Sequence, residues 1–234
     1  MNAWMEQGYR ETTMPVPVAS RGQFITKTYV HLLCSILALV GIEVALFSTG
    51  VMEALGTAII GNQIFWFAIL GAFMVVSWLS SHVAHTAMSR SAQYMALGAA
   101  VGVQALILAP MLFIATKFYP GVLLPATMVT LIGFTALTAI VFVTREDFSF
   151  LRSTLMWGGL IALGLIVASM IFGFQLGIFF TIAMIGFAGA AILYDTSNVL
   201  HHYTEDRYVA ASLELFSSVA LLFWYVLRLF MQRD

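Results

Sequence analysis

The stretch GIFFTIAMIGFAGAAILYDTSNVLHHYTEDRYVAASLELFSSVALLFWYVLRLF, residues 177–230, decides the fold. It contains two apolar runs, 177–198 and 208–230, separated by a polar turn that carries His201, His202, Glu205, Asp206 and Arg207. A helix rises 1.5 Å per residue, so about 20 apolar residues cross a hydrocarbon core of about 30 Å. Each run reads as a transmembrane helix, and the pair forms a hairpin whose turn lies at one membrane surface.

Working outward, the same pattern recurs at 28–49, 63–87, 92–116, 120–143 and 151–172, which gives seven spans in all. Only 9% of the 234 residues are charged and 61% are hydrophobic. A soluble domain carries about 25% charge, so this chain lacks the polar groups to cover a water-exposed surface. The composition excludes a soluble catalytic domain and a nucleic-acid binder with a basic face, and the single cysteine, Cys34, excludes an intrachain disulfide. The fold expected is an all-α integral membrane protein with seven transmembrane helices over residues 27–234. Residues 1–26, with Pro15, Pro17 and Gly22 and no apolar core of 7–15 residues, read as a polar tail and not as a cleavable signal.

Basic residues set orientation, because short loops rich in Lys and Arg stay in the cytoplasm. With seven alternating spans, the amino-terminal side holds Arg10, Arg21, Lys27, Arg90, Arg145, Arg152 and Arg207, whereas Lys117, Arg228 and Arg233 lie opposite. The seven-to-three split places the amino terminus in the cytoplasm and the carboxyl terminus outside. Gly98 with Gly102, and Gly186 with Gly189, are small-residue pairs that let helices approach closely in lipid.

A carboxylate within a span costs roughly 2.5–3.5 kcal/mol to insert, so such groups face the bundle interior, pair, or take up a proton. Glu43, Asp195 and Glu214 are the acids in question. Asp195 lies near the end of span six and Glu214 about 6 residues, or roughly 9 Å, into span seven, so the two sit at comparable depth and can face each other. Two carboxylates in one low-dielectric pocket do not both ionise cheaply, which makes the pair a proton-sensitive switch and a weak calcium site. The alternative is that Asp195 extends to the interface while Glu214 is neutralised alone. Ser218 shares a helix face with Glu214. His82 and His85, near the cytoplasmic end of span two, could pair with either acid or simply cap their helix. Glu43 lies near the outer end of span one, as the far end of a permeation path or as an interfacial acid.

Enzyme signatures are absent: there is no HExxH, no Gly-x-Ser-x-Gly and no Walker loop. No catalytic residue and no cofactor is expected. Ser81 and His85 form an SxxxH, but the Asp and the HxxxH that a seven-span zinc hydrolase also needs are missing from spans three and seven.

Three strings give the chain a recognisable pattern: VTREDFSFL at 143–151, ILYDTSN at 192–198 and SLELFSSVALLFWYVLRLF at 212–230. In this order they resemble the Bax inhibitor-1 family of transmembrane Bax-inhibitor-motif proteins, and within it the bacterial YccA-like branch. The resemblance implies six helices around a central seventh and a pH-sensitive calcium leak in a bacterial inner membrane. It further implies an aspartate on span six, another on span seven, and a basic partner on span two. Asp195 matches the first aspartate, the second falls on Ser218, and His82, His85 and Arg90 are candidates for the basic residue. The departure at Ser218 leaves Glu214, one turn earlier, as the acid that could substitute. Relatives in this branch also suggest a non-transporting regulator that binds a membrane-anchored quality-control protease or a translocation channel, with the tail as its handle. The bilayer is then the one environment common to both readings, and no oligomeric state is assigned.

Overall fold

The computed structural model describes residues 18–59, 71, 82, 86 and 89–232. Those residues form helices joined by short turns, with no strand among them: α1 (Val18–Ser48), α2 (Val51–Ile59), α3 (Arg90–Phe118), α4 (Leu123–Thr144), α5 (Leu151–Phe172), α6 (Ile178–His201) and α7 (Tyr208–Met231). All except the nine-residue α2 are long and apolar enough to cross a membrane, which makes six candidate spans among the described residues. Expected spans one and three to seven each have a helix. The expected second span, 63–87, falls outside the described residues except for three positions, and His85 is outside them too.

Two boundaries move. Helix α1 begins at Val18, well inside the segment read as a polar tail, and its first turn is tied to the turn between α6 and α7. There the Arg21 guanidinium donates to the carbonyls of Tyr203 (2.5 Å) and Val199 (2.8 Å), and Ser20 Oγ donates to Glu205 Oε1 (2.6 Å). These bonds give the exposed end of an apolar helix polar partners, so helical structure extends past the hydrophobic run. Helix α2 occupies what reads as a loop, with Met52 buried beside Ala109 and Phe113 of α3.

Helix ends follow local chemistry. Ser89 caps α3 by accepting from the Ala92 amide (3.2 Å). Helix α4 ends on Arg145 at φ 55° and α5 on Gly173 at φ 73°, the left-handed conformation that stops a helix by turning its next amide back onto a carbonyl. The glycine fits that conformation without strain; the arginine is the one described non-glycine residue that adopts it.

Helix α7 packs against α1, α3, α4 and α6, and α6 packs in turn on α4 and α5. Its inward stripe of Ala211, Leu215, Ser218, Leu222 and Val226 repeats every three to four residues, as does Ala188, Ile192, Asp195 and Val199 on α6. Small residues bring the helices close at Gly189, where an added Cβ would meet Leu137 of α4 at 3.4 Å. Gly98 and Gly102 do otherwise among the described residues: no described atom lies within 4 Å of a Cβ placed there, so this pair makes no close contact with a described helix.

Candidate functional site

Helices α6 and α7 run antiparallel across a tight turn, which brings the end of one beside the start of the other. Residues four apart share a helix face, so Glu214 and Ser218 both look from α7 toward α6. Ser218 meets Asp195: its hydroxyl donates to Oδ2 at 2.5 Å, with both side chains buried. Glu214 sits one turn nearer the membrane surface and is half-buried, and its Oε2 accepts from the Tyr203 hydroxyl at 2.5 Å. The expected acidic neighbours therefore share one polar seam, yet each has its own hydroxyl donor.

The outer end of this seam opens into a recess of about 400 Å³ lined by Arg152, Tyr194, Asn198, His202, Tyr203 and Glu214. Burial, followed by the Glu214 carboxylate, pushes the Tyr203 phenol far above its usual range, so Tyr203 remains a neutral donor at every physiological pH. At the rim, Asp147 from the turn between α4 and α5 accepts from the Ser149 amide (2.9 Å), from Ser197 Oγ (3.3 Å) and from His202 Nε2 (3.1 Å). The backbone bond from Ser149, aided by His202, holds the Asp147 carboxyl down to about 2. Ser197 Oγ in turn accepts from the Phe148 amide (2.9 Å), which ties this turn to α6.

The other candidates lie elsewhere. Glu43 is buried on α1, 22 residues beyond Arg21, which is about 33 Å along the helix and at the opposite end of the bundle. Neither of its carboxylate oxygens has a hydrogen-bond partner among the described residues. His82 is helical and exposed. No three His, Cys, Asp or Glu side chains gather to hold a metal ion among the described residues, so Asp195 and Glu214 with Ser218 are the oxygen donors at hand.

Several polar residues at this end carried no signal in sequence. Arg21 was read only as a charge for orientation, yet it clamps α1 onto the end of α6. His31 on α1 bonds to the Lys27 carbonyl (2.7 Å) and to the Tyr94 hydroxyl (2.8 Å), and Tyr94 approaches Tyr208 at 3.5 Å. An isolated histidine or tyrosine in an apolar run reads as filler until the fold supplies its partner. Tyr225, near the other end of α7, is buried against Phe180.

Among known proteins, the chain is 34% identical over 113 residues to the uncharacterized protein PA2604 of Pseudomonas aeruginosa, covering 47% of this chain and 50% of that one. It is also 34% identical over 122 residues to Bax inhibitor 1 of Schizosaccharomyces pombe, covering 49% of this chain and 44% of the yeast protein. The chain thus spans about half the length of the curated relatives it matches. The family model described as "Inhibitor of apoptosis-promoting Bax1" matches residues 21–234, from the arginine that clamps α1 to the last residue and across the whole seam. With that match over nearly its full length, this integral membrane protein belongs to the Bax inhibitor family.

Proposed function

We propose that the protein is a passive, pH-modulated cation conduit, with calcium as its permeant ion and with no enzymatic activity. The reading rests on one observation: Glu214 lines an open recess while Asp195, one turn deeper on the same seam, is buried against Ser218. An acid at a mouth concentrates cations, and a second acid behind it gives them a next oxygen. Calcium prefers six to eight oxygens at 2.3–2.6 Å. Two carboxylates, a serine hydroxyl and water would bind it loosely, which suits transit and not storage.

The same pair supplies pH dependence. In a low-dielectric seam both carboxylates do not stay charged cheaply, so the pair takes up a proton together and loses its pull on a divalent ion. Ser218 cannot carry the second charge as an acid would; its hydroxyl only hydrogen-bonds to Asp195. The second charge is therefore displaced outward to Glu214, where Tyr203 steadies it. On this reading the hairpin turn, Arg21 and the recess face the cytoplasm of a bacterial cell, in keeping with the Lys and Arg distribution, and the carboxyl terminus lies outside.

Reconstitution in liposomes loaded with a calcium indicator, scanned across pH, tests the proposal. Asp195→Asn combined with Glu214→Gln should abolish most of the flux and flatten what remains against pH. Unchanged flux in that variant would overturn the mechanism. A purified protein that carries no flux at any pH, yet captures a membrane protease or translocation channel through its amino-terminal segment, would establish the regulator instead.

A further inference from the structure

Buried threonines in this protein bond back to the carbonyl one turn earlier, as Thr28 does to Phe24 (3.0 Å) and Thr130 to Ala126 (2.8 Å), or take a side-chain partner, as Thr181 does in Gln232 Oε1 (2.9 Å). Two threonines do neither. Thr138 on α4 and Thr196 on α6 have buried hydroxyl oxygens with no hydrogen-bond partner among the described residues, and the Tyr29 hydroxyl on α1 is in the same condition. The three belong together. The Tyr29 ring lies 5.9 Å from that of Phe142, which is one turn beyond Thr138 on the same face of α4. The Tyr29 hydroxyl lies near both threonine hydroxyls, yet none of the three pairs meets hydrogen-bond geometry. Thr196 itself has no exposed surface.

Leaving a buried hydroxyl unpaired costs about 1–3 kcal/mol. Three at one junction of helices, when two of them could have bonded back to their own helix, point to a shared partner. Three hydroxyls offer three donors and up to six lone pairs, and a buried water wants two to four such partners. The group carries no charge, so it does not suit a divalent cation. We infer that Tyr29, Thr138 and Thr196 form a binding site for a single internal water molecule at the meeting point of α1, α4 and α6.

Its position gives the site a role. Helical residues are separated by about 100° per step, so Thr196 lies about 160° around α6 from both Tyr194 and Asn198, which line the recess. Asp195 projects between the two directions. The water site therefore hydrates the flank of α6 away from the recess, and Asp195 is set between a wet mouth and an internal water.

Isosteric variants decide the matter through stability in detergent, a readout independent of ion flux and so of the conduit proposal. With a water in place, Tyr29→Phe and Thr196→Val each remove a bond, so each lowers the Tm, and the double variant falls by less than the sum. If the hydroxyls are dry, removing one relieves a buried polar group and raises the Tm. A rise in either variant, or strictly additive losses, overturns the site. X-ray hydroxyl-radical footprinting of the unmodified protein then separates a water from direct bonds among the three hydroxyls, since a bound water is the local source of the radical. Tyr29 should be labelled despite its burial, and several-fold less in Thr138→Val; an unlabelled Tyr29 overturns the inference.

Discussion

Helices α5 and α7 are both apolar enough to cross a membrane, yet they occupy opposite environments. Of the most apolar 18-residue window of each, 6% is buried in α5 and 72% in α7. Trp157, Leu160, Ile161 and Phe172 of α5 point outward, and α5 packs chiefly on α6. Helix α7 instead touches four others. Hydrophobicity cannot sort them, because lipid tails are as apolar as leucine and give no drive toward the interior. Small and polar residues do the sorting. Ala210, Ala211, Ser212, Ser218 and Ala220 leave α7 narrow enough for close neighbours, and Ser218 and Glu214 each find a polar partner there that lipid could not provide. Helix α5 offers Gly158 and Gly159 to the ring of Phe187, and its one buried side chain, Ala162, to the cluster with Met184 and Tyr225.

The sharpest way to break this contrast is to delete one large side chain from each helix. Phe216 of α7 is 2% exposed and Leu160 of α5 is 55% exposed. Phe216→Ala opens a cavity that surrounding helices cannot fill and should cost about 3–5 kcal/mol. Leu160→Ala leaves a notch that acyl chains fill, and should cost under about 1 kcal/mol. Reversible unfolding in bicelles measures both; equal losses would mean that α5 is covered by protein in the membrane.

A finer comparison sets two serines against each other. Ser218 donates to the buried Asp195 carboxylate, whereas Ser169 of α5 only bonds back to the Ile166 carbonyl at 2.7 Å. Ser218→Ala strips a donor from a buried acid and should cost about 1.5–3 kcal/mol, against about 0.5–1 kcal/mol for Ser169→Ala. The same unfolding assay separates them. An Asp195→Asn background should erase most of the Ser218→Ala penalty; a penalty that persists there would place the role of Ser218 outside this bond.

What was legible in the sequence follows the same division. Six spans could be read because lipid demands about 20 apolar residues in a row, a constraint that leaves its mark locally. Asp195 and Glu214 stood out because charge is so scarce. The helix at 51–59, the early start of α1 and the hydroxyls of Tyr29, Thr138 and Thr196 were not legible, since each depends on a partner far away in sequence. The pairing of Asp195 with Ser218 and of Glu214 with Tyr203 illustrates the limit. Spacing put both acids at one depth, but which hydroxyl each would take depends on helix rotation, and apolar periodicity is too uniform in these spans to fix it.

The smallest effect concerns how the outward-facing α5 is moored. Its leading turn is held to the α6–α7 hairpin through Asp147, whose carboxyl accepts from Ser149, Ser197 and His202. A carboxyl lowered to about 2 from its ordinary 3.8 contributes its bonds above the ordinary value and loses them only as pH falls through about 2. The mooring is thus complete throughout the physiological range, and any pH response of the seam near neutrality must arise elsewhere. The Ser149 amide resonance reports this directly: in labelled protein it should titrate with a midpoint near 2, and Asp147→Asn should remove that step. A midpoint at or above the ordinary value would show that the turn is not held by these bonds, and α5 would then be anchored by its contact with α6 alone.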